Sequence, residues 1–292
     1  MRTFARSHPI AFFLTLVYGI GVALFALPLL ATTGLGVVDL ELPGVAPFVL
    51  LSAISLPIAA YITTRLAASR EAGREFRRRV FHVRVNPVWY VVALILLPAI
   101  ALATAVVLEG TEVIPALAGT PSVFIDALLI GGLSAFLLVN WWEEAGWTGF
   151  ALDRLQPRFG PIASSVITTW MQATLHLPLV FIAGGVTDGR VPGNEIPMYL
   201  AALYVLPISV RLIITWIYNA TGRSVPVVGL YHAGLGVATG SAFLPVIAPQ
   251  LNTILVYGGF AVVAAVLLVA TRGRLGYGLA KTTAGLAPAP AS

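Results

Sequence analysis

Glu143 and Glu144 stand side by side in Asn140-Trp-Trp-Glu-Glu-Ala-Gly-Trp-Thr-Gly-Phe150, His176 in Leu175-His-Leu-Pro178, and His232 in Leu230-Tyr-His-Ala-Gly-Leu-Gly236. Each interrupts a run otherwise apolar enough to cross a bilayer, where an ionisable side chain costs at least about 2.5 kcal/mol near the centre and so usually faces a cavity or a partner. A carboxylate with two imidazoles can activate water in two ways. Glu143, His176 and His232 would be three ligands for a zinc ion with an open water position, or a metal-free glutamate base with histidine donors. Adjacent helix residues point about 100° apart, so one glutamate is expected to react and the other to orient it. The chain has no cysteine, which excludes thiolate nucleophiles, disulfides, Cys-ligated zinc and iron–sulfur clusters.

Each residue also has a plainer reading. Paired glutamates at a membrane edge can be solvated surface charges, and a lone histidine in a bundle can be interhelical glue. Trp141, Trp142 and Trp147 read as interface aromatics rather than a substrate cage, and Arg211 as a side chain that snorkels toward the cytoplasmic face. The joint occurrence of acid and imidazoles on three helices favours a site over these separate explanations.

The elements that must position them are transmembrane helices. Of 292 residues, 58% are hydrophobic and 10% charged, against roughly 45–50% and 25% in soluble proteins, and mean hydropathy is +0.92. The expected fold is all-α, a polytopic bundle of about eight spans: Pro9–Ala31, Val45–Leu66, Val88–Leu108, Val123–Leu152, Ile162–Ala183, Ile196–Tyr218, Val225–Ile247 and Leu251–Thr271. Residues 1–280 form one transmembrane domain and 281–292 a mobile tail. The first span reads as a retained anchor, being long for a signal-peptide core and lacking a clean cleavage site. Arg70, Arg74, Arg77, Arg78, Arg79 and Arg84 crowd the second connection, which places it and, by alternation, both termini in the cytoplasm. The net charge of +5 serves orientation in so apolar a chain, and nucleic acid is not an expected partner.

Counted from these helix ends, Glu143 lies about 14 Å and His232 about 12 Å deep, but His176 about 22 Å, a gap of two turns that a protruding fifth helix would close. Pro178 cannot donate to the Thr174 carbonyl, so an acceptor is expected to open beside His176. Gly234, Gly236 and Gly240 thin the seventh helix for close packing.

Glu143-Glu144-Ala-Gly-Trp-Thr-Gly-Phe150, His176-Leu-Pro178, and Trp216-Ile-Tyr-Asn-Ala-Thr-Gly-Arg-Ser-Val-Pro226 leading into His232 resemble the CPBP intramembrane proteases. That family includes type II CAAX prenyl endopeptidases and the abortive-infection and bacteriocin-processing membrane proteins; the likeness covers about residues 123–240. It implies Glu143 as the water-activating carboxylate, His176 as its partner, His232 as the second imidazole and Glu144 as support, with zinc bound or with glutamate and histidine alone. Three motif positions depart from the family's pattern. Thr148 replaces an arginine, Gln172 a phenylalanine, and Gly236 an asparagine or aspartate. Gln172, one turn before His176, would supply a replacement donor, and Arg211 a replacement cation.

The leading expectation is a multi-pass cell-membrane endopeptidase that hydrolyses a peptide bond near the cytoplasmic face. Its substrate would be a peptide or membrane-protein segment, lipidated if of CAAX type. Thr148 and Gly236 motivate a second reading, a non-catalytic immunity or chaperone-like protein on the same bundle. Buried glutamate and histidine alone would also suit a proton-coupled transporter, although no internal repeat stands out.

Overall fold

The computed structural model describes residues 1–185, 189, 191–239 and 248–278. A short helix, Arg2–Ser7, leads into α1 (Pro9–Leu30), followed by α2 (Ala46–Ala67), α3 (Arg70–Val80) and α4 (Val88–Glu109). One helical path then runs from Pro121 to Val180 and is broken at Gly160; we name its arms α5 (121–159) and α6 (161–180). After it come α7 (Ile196–Ala220), α8 (Val225–Thr239) and α9 (Thr253–Ala270). The chain is a multi-pass integral membrane protein: α1, α2, α4, α7, α9 and the broken path are long and apolar enough to cross a bilayer. The expected end of the seventh span at Ile247 and the tail 281–292 lie outside the described residues.

Lipid replaces water as the outer solvent. Val22, Val91, Val107, Leu129, Val266 and Val269 are all more than half exposed, as expected for side chains that meet acyl chains. Where lipid is as apolar as leucine, helices gain little by hiding large hydrophobes from it and pack instead through small residues and hydroxyls. Accordingly Ala53, Ala59, Ala60, Ala93, Ala101, Ala105, Thr63 and Thr64 are buried almost completely. The Ser165 and Thr215 hydroxyls meet at 2.6 Å and tie α6 to α7. The first span belongs to this core, since Phe13 packs on Phe150 at 4.6 Å and edge-on against Trp147 at 5.8 Å between centroids.

The two-turn gap in depth is resolved by α5, which runs on past Leu152 to the break at Gly160. Glu143 stands 17 residues before that turn and His176 16 after it, so at about 1.5 Å per residue both sit near 25 Å from it. No protruding fifth helix is needed. Gly160 has φ of 74°, a left-handed conformation that glycine adopts without strain, and Pro161 follows as the first residue of the next arm.

Candidate active site

α5 is not a uniform α-helix. Wide i→i+5 turns at Ala127–Gly132, Phe136–Asn140 and Trp147–Leu152 flank the α-helical turn Trp141–Gly146 that carries both glutamates, and such turns occur often at functional sites. α8 crosses this turn at very close range. A Cβ on Gly229 would lie 2.8 Å from the Trp141 Cα and 3.1 Å from its nitrogen, so only glycine permits the approach. Three residues later α8 presents His232. The close contact expected of Gly234 and Gly236 is thus made by Gly229: a Cβ on Gly234 would make only ordinary contact at 3.6 Å, and one on Gly236 would meet open space. Gly240 lies outside the described residues.

α6 ends its α-helical turns at His176, and Leu177–Val180 tightens into a 3₁₀ turn. The Leu177 amide donates to the Thr174 carbonyl, so the acceptor expected to open before Pro178 is satisfied by this shorter bond.

These elements bring Glu143, Glu144, His176 and His232 into one cluster. His176 Nε2 lies 3.3 Å from Glu143 Oε1, and Gln172 Nε2 donates to Glu143 Oε2 at 3.3 Å. His232 Nδ1 sits 2.8 Å from Glu144 Oε1 and 4.0 Å from Glu143 Oε2. This is a close contact rather than an aligned hydrogen bond, because Nδ1 has no partner of good geometry. His232 therefore leans on Glu144 more closely than on Glu143.

Beneath the cluster lies a second layer. Arg211, only 3% exposed, donates through one terminal nitrogen to Glu144 Oε2 at 2.7 Å and Thr148 Oγ1 at 2.9 Å, and through the other to Glu144 Oε1 at 3.1 Å. It also reaches Gln172 Oε1, and the Thr148 hydroxyl donates to Glu144. Arg211 does not snorkel; it is the buried counter-ion of a fully buried carboxylate. Thr148, where the sequence resemblance expects an arginine, accepts from the cation that α7 supplies.

A cavity of about 180 Å³ opens onto this arrangement, lined among others by Thr169, Gln172, His176, Arg211, His232 and Tyr257. Beyond Leu203, Pro207 and Tyr257 it adjoins a larger, mainly apolar groove of about 610 Å³ between α7 and the start of α9. Trp147 is not an interface aromatic. Trp147 is fully buried against Phe13, and Trp141 donates from Nε1 to the Val80 carbonyl at 2.8 Å, which fastens α5 to α3.

A zinc ion would need three donors converging at about 2.0–2.2 Å. Glu143 and His176 approach each other, but His232 turns Nδ1 to Glu144, and among the described residues no group of three or more His, Asp and Glu is arranged to hold a metal ion. The side chains as placed suit a hydrogen-bonded glutamate and histidines.

Residues 125–238 match the family described as "Type II CAAX prenyl endopeptidase Rce1-like". The chain is also 23% identical over 194 residues to a protein of Methanococcus maripaludis named CAAX prenyl protease 2, an alignment covering 65% of this chain and 70% of that protein. Both matches take in the turn that carries the glutamates and support the family to which the Glu-Glu and histidine motifs pointed.

Proposed function

We propose that this protein is an intramembrane endopeptidase that cleaves the C-terminal end of a prenylated peptide by Glu143-activated water, a reading supported by the match of residues 125–238 to the Rce1-like family. The observation that carries the reading is the meeting of Glu143 and His176 at 3.3 Å, with His232 alongside, just behind a cavity that both histidines line. In this reading Glu143 takes a proton from a water in the cavity, and the hydroxide so formed attacks the scissile carbonyl. His232 and His176 donate hydrogen bonds to the oxyanion of the tetrahedral intermediate, and the proton held by Glu143 passes to the leaving amine as the C–N bond breaks. Atoms balance with one water consumed per bond.

Glu144 takes no proton in this scheme. Arg211 and Thr148 fix its charge, and it fixes the His232 ring in turn. Gln172 holds the other oxygen of Glu143, so the carboxylate is oriented from both sides. The apolar groove of about 610 Å³ supplies room for a lipid chain beside the reacting bond. No step runs through a metal.

The test is hydrolysis in proteoliposomes of a farnesylated peptide ending in a CAAX tail, read as release of the C-terminal tripeptide. We expect cleavage of the prenylated peptide, much slower cleavage of the unprenylated one, and rates unchanged by a zinc chelator. Loss of activity on chelation with recovery on zinc addition would replace the metal-free scheme by a metal-dependent one. No cleavage of either peptide by folded protein would contradict the proposal and favour a non-catalytic bundle.

A further inference from the structure

A second polar cavity, of about 370 Å³, lies at the end of the bundle that carries the arginine-rich α3. It is lined by Glu75, Arg78, Arg79, His82, Arg84 and Gly222. Its only carboxylate, Glu75, is already paired with Arg78 at 3.2 Å. Arg79 is different in kind from its neighbours, because its side chain is only 9% exposed. One terminal nitrogen contacts Asp153 Oδ2, while its Nε is buried without a hydrogen-bond partner.

Asp153 cannot neutralise all that faces it. Its other oxygen is shared by Arg223 Nη1 at 3.2 Å and by the Tyr218 hydroxyl at 3.4 Å. Among the described residues Arg84 makes no ion pair, and neither does His82. The lining thus holds more cations than anions, and Arg79, one of them, keeps a buried guanidinium donor unmet, which is unfavourable for a charged group. A tetrahedral oxyanion suits such a wall: its oxygens can accept from the guanidinium groups of Arg84 and its neighbours that line the cavity, and arginine forks match phosphate geometry.

We infer that this cavity binds a phosphate group, carried either by an anionic phospholipid headgroup or by free phosphate. Its place in the fold gives binding a consequence for the bundle. Gly222 lines the cavity one turn before α8, and Ser224, at the start of that helix, donates to the His82 carbonyl at 2.6 Å. A bound phosphate would therefore clamp α3 to the root of the helix that carries His232.

The experiment uses the full chain in neutral detergent and follows thermal unfolding. One arm adds inorganic phosphate against chloride at equal ionic strength; the other adds phosphatidylglycerol against phosphatidylcholine in mixed micelles. We expect a saturable rise in Tm of roughly 3–6 °C at about ten times the Kd, abolished in Arg84→Gln and in the His82→Ala/Arg84→Gln double variant, which break no described ion pair. A rise in both arms assigns the site to any phosphate group, a rise with phosphatidylglycerol alone to a headgroup, and a rise with phosphate alone to the free ion. The inference is overturned if neither probe raises Tm beyond its control, or if the rise survives in the double variant.

Discussion

Glu143 and Glu144 are neighbours in sequence and opposite in circumstance. Glu144 is wholly buried and grasped by Arg211 and Thr148, whereas Glu143 is held by Gln172 and His176, which themselves line the cavity. Removing the cation should therefore damage the fold before the chemistry. Arg211→Met leaves a buried carboxylate uncompensated and should cost about 3–5 kcal/mol, read as a lowered midpoint of unfolding in detergent. Arg211→Met combined with Glu144→Leu should recover most of it, and a double variant as unstable as the single one would show that the pair is not the reason. At Gly236, one turn after His232, a side chain meets open space. Gly236→Asn should fold normally and raise turnover by adding a donor near the oxyanion; a lower rate with unchanged stability would put that donor elsewhere. The acid and both histidines were legible because ionisable groups stand out in apolar runs. Arg211 was harder to place, since a lone arginine in a span reads as a snorkelling side chain. The signal that reveals it is Thr148 in the arginine position, which leaves Glu144 in want of a cation.

At the scale of elements the site depends on two backbone events. The turn at Gly160 sets Glu143 and His176 level, and the contact of Gly229 with Trp141 sets α8 against α5. Gly229→Ala places a Cβ where only backbone can yield. It should cost about 1–3 kcal/mol by overpacking and lower turnover by more than the loss of folded protein, because His232 moves with the helix. Turnover that falls only in step with folding would detach that contact from the chemistry. The expected end of Val225–Ile247 lies outside the described residues, and Val225–Thr239 is shorter than the other spans. Most spans were legible to within a few residues from hydropathy. The end of α5 was not: Asp153, Arg154 and Arg158 look like a connection, yet the helix continues through them because Asp153 is bound by Arg79 and the Arg154 guanidinium stacks over Phe150 at 3.9 Å. Pairings 74 residues apart, such as Arg79 with Asp153, leave no periodic trace in a sequence.

The molecule is a lipid-facing bundle, and the distribution of charge predicts its orientation. The arginine-rich connection should be cytoplasmic. Because the chain lacks cysteine, Arg74→Cys and Glu112→Cys give clean single labelling sites. An impermeant maleimide applied to right-side-out vesicles should modify the second and spare the first, and the reverse pattern would invert the topology. Fold class and membrane placement could be read from composition alone, since nothing else hides so much apolar surface; the location of the hydrolytic centre required three helices to be brought together in space. The most direct trial of that centre is turnover of the farnesylated peptide by Glu143→Gln, compared with the unaltered protein at equal folded concentration. The variant keeps the shape of the side chain and loses the base, so the rate should fall by about 100-fold or more with little change in unfolding midpoint. A Glu143→Gln protein that cleaves at the original rate would contradict the account.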